Sequence, residues 1–212
     1  MNTRKWTFMC IAVAAFGAAY GQNLRYFEFQ GGTLNPKGTR AAGLILSAGY
    51  GICVDERVDL GLGISMFHKG FTEKTEVASS TTLPGSEVKT VIMPLEYSTT
   101  LLPVGANATV HIPFQPPLGI HVGGSLVYEF LFDKYTNHET KQTEKSRFSG
   151  FGWMARAGFD LAIGSRSSLS AEAFYNGCKV KGNKKEIEGI PTWDEVDVSG
   201  LGFRAGLRVE LY

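Results

Sequence analysis

Leu118–Phe132 reads LGIHVGGSLVYEFLF. Its even positions include Leu118, Ile120, Val122, Leu126, Tyr128, Phe130 and Phe132, and its odd positions include Gly119, His121, Gly123, Ser125 and Glu129. Side chains alternate between the two faces of a strand, whereas a helix would bring its apolar residues back every three or four positions. The stretch therefore predicts a strand with one bulky apolar face and one slender, polar face.

The same rhythm extends outward in both directions. Ala42, Leu44, Leu46, Ala48, Tyr50, Ile52 and Val54 alternate with Gly43, Ile45, Ser47, Gly49, Gly51 and Cys53. Val58, Leu60, Leu62, Ile64 and Met66 alternate with Asp59, Gly61, Gly63 and Ser65. In the next segment the apolar row runs through Val91, Met93, Leu95, Tyr97, Thr99 and Leu101, then moves to even numbers from Val104 to Ile112. A β-bulge at Leu102-Pro103 is the expected cause of that jump. Three further rows follow, from Phe151 to Ile163, Leu169 to Tyr175 and Leu201 to Leu211. With a weaker first strand over Leu24–Thr33, the total is eight.

The connections also alternate. Residues 55–57, 113–117 and 164–167 make short turns, while Gly70–Glu87, Asp133–Arg147 and Val180–Glu195 read as long polar loops. Short turns on one side and long loops on the other are the arrangement of an up-and-down barrel in a membrane. A soluble eight-stranded barrel would hide its bulky row inside, where little room exists, and show charge outside. Here the polar face is rich in glycine, so the small residues are expected in the lumen and the large ones in lipid. Closure then gives every backbone N–H and C=O a partner in hydrocarbon. Tyr128, Phe130, Phe132, Phe151, Trp153 and Tyr175 collect toward the long-loop end, as an interfacial girdle would.

Composition narrows the classes further. The chain has 212 residues, 43% of them apolar and 19% charged, which excludes a disordered polyelectrolyte. No run approaches 18 apolar residues, so a helical membrane protein is excluded. Arg4 and Lys5 precede an uncharged apolar run from Trp6 to Tyr20, and Ala19-Tyr20-Gly21 fits a signal peptidase site, with cleavage before Gln22. Residues 1–21 are thus expected to be a signal peptide and residues 22–212 the barrel domain. Loss of Arg4 and Lys5 leaves 19 basic against 20 acidic residues, a balance that predicts no affinity for nucleic acid.

With its signal peptide, eight alternating segments, Pro117–Phe132 and the terminal strand Gly200–Tyr212, the chain resembles the small outer-membrane β-barrel superfamily of the OmpA-transmembrane, OmpX and OmpW types. The resemblance implies an all-β fold, an eight-stranded antiparallel up-and-down transmembrane β-barrel, in the bacterial outer membrane. It implies outer-membrane lipid, lipopolysaccharide and the insertion machinery as partners, and a monomer. The final strand departs from the usual assembly signal, since Tyr212 is in phase with Glu210 and Arg208 while Leu211 continues the apolar row.

Candidate chemistry lies on the slender face. Glu28, Glu96, Glu129, Arg156, Asp160, Glu172, Arg204, Arg208 and Glu210 point into the expected lumen, and Glu28, Glu172 and Arg204 fall near mid-strand on neighbouring staves. They are expected to meet as an ion network that plugs the lumen, the alternative being a gate that admits small solutes. His121 and Ser125 share a face, but four strand positions separate them by roughly 13 Å, too far for proton transfer. His68 and His138 have no serine motif nearby, so no enzyme, metal or cofactor is expected. Cys53 and Cys178 lie toward opposite ends of their strands and should not pair. Lys179, Lys181, Lys184 and Lys185 form the strongest loop candidate for binding phosphates. The expected role is structural or surface interaction, with a narrow channel for small or hydrophobic solutes, as OmpW resemblance implies, as the alternative.

Overall fold

The computed structural model describes residues 24–37, 42–77, 91–137, 142–182, 185–187, 190–192 and 194–211. The expected signal peptide, His138, Lys184 and Tyr212 lie outside them. Seven strands follow one another as antiparallel neighbours: β1 Arg25–Pro36, β2 Gly43–Asp55, β3 Val58–Val77, β4 Val91–Pro113, β5 Leu118–Asn137, β6 Gln142–Ala162 and β7 Ser167–Lys181. Short strands β8 Lys185–Ile187 and β9 Ile190–Thr192 form a small hairpin, and β10 Glu195–Asp197 pairs with β7. The last strand, β11 Gly200–Leu211, pairs with β7 on one side and β1 on the other, from Arg25 opposite Leu211 to Pro36 opposite Gly200. That seam closes an eight-stave, all-antiparallel barrel.

The apolar row faces outward as expected. Phe151 is 76% exposed, Leu126 68% and Phe159 62%, together with Leu44, Leu62, Ile64, Val122 and Phe203. An exposed apolar belt on this scale belongs in hydrocarbon, where it costs nothing. Aromatics mark its upper rim, where Tyr128 meets Phe130 and Phe151 at ring-centroid distances of 5.0 and 5.3 Å, and Trp153 meets Tyr175 at 5.6 Å. Phe27, Phe114 and Phe159 lie toward the short-turn end.

Three expectations need correction. First, no bulge interrupts β4 at Leu102-Pro103. Its register with β5 is continuous from Leu95 opposite Asn137 to Pro113 opposite Gly119, and its offset from β3 is the same at Ile64–Val104 and Phe67–Leu101. The two intervening pairs drop out of the β3 ladder beside Pro103, which has no N–H to give. The apolar row changes number because the odd positions of β4, Leu101 among them, face the lumen, and at the level of Leu101 the lumen is itself apolar. The register shift observed instead lies in β2, between Cys53 and Asp55.

Second, the lumen is slender only in its lower half. Its upper half is an apolar layer of Leu34, Ile45, Phe67, Leu101, Leu131, Met154, Phe174, Cys178, Val180 and Val198. Strands β1 to β7 each contribute to this layer, whereas β11 contributes glycine. A Cβ on Gly202 would strike the Phe174 ring. Third, most of the long polar "loops" are strand. Strands β3 to β6 have 20, 23, 20 and 21 residues, about twice the roughly 9–11 that a bilayer requires, so two hairpins rise well above it.

Candidate functional site

Below the apolar layer, inward-facing charges from seven staves meet, Glu28 of β1 among them. The glycines of the slender face make the space. A Cβ at Gly158 would come within 2.6 Å of the Glu172 Cβ, and one at Gly51 within 2.6 Å of the Tyr26 ring. Asp160 and Arg156 come from β6, Glu172 from β7, Arg204 and Arg208 from β11, His111 from β4, Asp59 from β3 and His121 from β5.

The contacts form a chain. Arg208 Nη1 donates to Asp59 Oδ2 at 2.5 Å, and His111 Nε2 lies 2.6 Å from the same oxygen. His111 Nδ1 is 3.3 Å from Asp160 Oδ2, and His121 Nδ1 is 2.9 Å from that oxygen. His121 Nε2 reaches Glu172 Oε2 at 3.0 Å, and Glu172 Oε1 accepts from Arg204 Nε. Arg156 Nη1 stands 4.0 Å from Glu172 and 3.9 Å from Glu28. Glu28 accepts from Gln30 Nε2 at 2.9 Å, and Gln30 continues to Ser170 at 3.2 Å. Arg204 Nη1 donates to Ser47, which bonds Ser65. The guanidinium of Arg208 lies 4.0 Å from the Tyr26 ring centre and that of Arg204 4.9 Å from the Phe174 ring centre, so cation–π contacts tie this layer to its surroundings.

Glu172 and Arg204 are in direct contact, as their mid-strand positions predict. Glu28 joins through Arg156 rather than Arg204. Glu129 stands apart within the upper half of the lumen, fully buried, with neither oxygen hydrogen-bonded. The side chain of Glu96 lies outside the described residues. Glu210 is half-buried near the short-turn mouth. Asp59 and His111 were absent from the expected set. For His111 a signal was present, since a short turn over 113–117 sets it directly opposite His121, whereas nothing local marks Asp59.

The space left between these groups is small. A cavity bounded by Glu28, Gln30, Ser47, Asn107, Arg156 and Arg204 holds about 40 Å³. Ligand pockets run to several hundred. Among the described residues, no three His, Cys, Asp or Glu side chains are arranged to hold a metal ion. Cys53 and Cys178 are both free thiols. On the outer surface, Lys179 and Lys181 share Glu195 at 3.5 and 3.6 Å, all three well exposed. The side chain of Lys185 lies outside the described residues, as does Lys184.

No protein-family model matches the chain, and no curated protein matches it. Solved structures do. OprG of Pseudomonas aeruginosa is similar with a TM-score of 0.62 at 11% identity, over 90% of this chain and 96% of that one. Neisserial surface protein A is similar with a TM-score of 0.55 at 15% identity, over 89% and 97%. Ail, the attachment invasion locus protein of Yersinia pestis, solved with the heparin analogue sucrose octasulfate, is similar with a TM-score of 0.51 at 11% identity, over 89% and 97%. Closure at the β1–β11 seam, the apolar belt and these likenesses together give the chain the fold of the small eight-stranded outer-membrane β-barrels.

Proposed function

We propose that this chain is a bacterial outer-membrane barrel with a structural or surface-interaction role and a lumen that does not conduct. The observation that carries the reading is a lumen blocked at two levels. In the upper half, Leu34, Ile45, Leu101, Leu131 and Phe174 are each 1% exposed and pack across the lumen as an apolar layer. In the lower half, Glu172 and Arg204 are buried against each other. Opening the barrel would mean both separating buried ion pairs and parting an apolar core, and leaving one buried charge without its partner costs about 3–5 kcal/mol.

The tall β3–β6 hairpins support the surface role, since they hold a four-stranded sheet clear of the lipid. Lipopolysaccharide is the first partner on this reading. On this reading Lys179 and Lys181, set on β7 opposite Glu195 and Asp197 of β10, are the cations that would meet its phosphates.

Single-channel recording tests the closed lumen. The mature protein, shown folded by its heat-modifiable migration, is expected to leave planar bilayers silent. Reproducible conductance steps would replace this reading with the narrow-channel one.

A further inference from the structure

His121 is 3% exposed, and each of its ring nitrogens faces a carboxylate, Asp160 Oδ2 at 2.9 Å and Glu172 Oε2 at 3.0 Å. A neutral imidazole has one N–H and one lone pair, so one of these contacts would set a lone pair against a carboxylate oxygen. With both carboxyls ionised, as their contacts with arginine and histidine favour, only the doubly protonated ring satisfies both. His111 differs. Its side chain is 28% exposed, its Nδ1 contact with Asp160 is the longer at 3.3 Å, and its Nε2 lies 3.2 Å from Arg208 Nη1, a cation that disfavours a further positive charge on that ring.

The charge balance points the same way. Asp160 from β6, Glu172 from β7 and His111 from β4 stand against His121, and the layer around them adds Glu28 and Tyr26 from β1, Asp59 from β3, Arg156 from β6, and Arg204 and Arg208 from β11. From β2 there is only the Cys53 thiol, against Arg208. Four carboxylates stand against three guanidiniums and leave one negative charge. An imidazolium at His121 cancels it. Glu210 lies farther down, at the solvated mouth, where screening weakens its effect.

We propose that His121 sits in the lumen as an imidazolium, donating one ring proton to Asp160 and the other to Glu172, and that it is a proton-operated latch for the lower plug. When the ring gives up a proton, one of the two carboxylates loses its donor and the layer carries an uncompensated negative charge. The latch then loosens from below while the apolar layer above stays closed. The ligand of this site is the proton, and the device makes plug stability a function of the pH at the short-turn mouth. The sign follows from the pairing: the imidazolium stabilises the layer while protonated, and that contribution is lost as pH rises past the point where the ring deprotonates.

Two measurements on the full mature chain in detergent micelles test this. In a long-range ¹H–¹⁵N spectrum at pH 7 with backbone-assigned histidines, His121 is expected to show two donor-type ring nitrogens. One donor-type and one acceptor-type nitrogen would overturn the proposal, and this readout needs no variant. In thermal unfolding followed by gel migration, His121→Gln is expected to lower the midpoint, and adding Asp160→Asn, which restores neutrality, to recover at least half of the loss. The wild-type midpoint should fall with alkaline pH where the His121→Gln profile is flat. Parallel pH profiles, or a double variant no better than the single one, would overturn it.

Discussion

At the scale of single residues, the lumen contains two carboxylates in opposite circumstances. Glu172 is met by His121, Arg204 and Arg156, and truncating it would leave those cations buried without their acceptor. Glu172→Ala is therefore expected to cost about 3–5 kcal/mol, read as a shifted urea midpoint for folding into lipid vesicles. Glu129 is equally buried, but no cation meets it, and Asn176 and the Cys178 thiol beside it make no well-formed hydrogen bond to its oxygens. Replacing it with an apolar group of similar size removes an unsatisfied polar group, so Glu129→Leu is expected to stabilise by about 1–3 kcal/mol in the same assay. Sequence separated these two only in part. Both alternate into the lumen, and alternation gives a side chain's face but not its depth. Depth decides whether the face is ionic or apolar, and it depends on inter-strand register. The same limit hid Asp59 and His111, which become partners of Arg208 and Asp160 only once the staves are aligned.

At the scale of elements, strand character was readable wherever one face met lipid. Leu126, 68% exposed near the middle of the belt, is the sharpest case. Leu126→Arg is expected to cost about 2–4 kcal/mol in vesicle refolding, whereas the same change near an end of the belt would cost much less. Legibility failed where the strand left the membrane. Above the belt, β5 and β6 carry Asp133, Lys134, Glu144, Lys145 and Arg147, and without lipid on one side the period of two no longer has to show in hydropathy. A polar strand in water on both faces then looks like a loop. Pairing from Asp133 opposite Ser146 to Asn137 opposite Gln142 shows that it is one ladder. Leu101 failed for a related reason. An apolar residue inside the lumen cannot be told from one in lipid by hydropathy alone, so the passage from an apolar to a glycine-rich lumen face imitated a bulge.

At the scale of the whole molecule, closure, stave number and the side bearing short turns were all legible, because they follow from counting alternating segments and comparing connection lengths. The division of the lumen into an ionic lower and an apolar upper half was not, because it arises from staggering eight strands around a cylinder. The β1–β11 seam has a topological implication. Arg25 and Leu211 are register partners at the short-turn mouth, and Glu210 bonds back to Arg166 in the turn before β7. A brief linker between those two residues, with a new opening within 163–166, would reorder the gene without moving a stave. Such a circularly permuted chain is expected to refold to the same heat-modifiable species, because the cylinder has no privileged first strand.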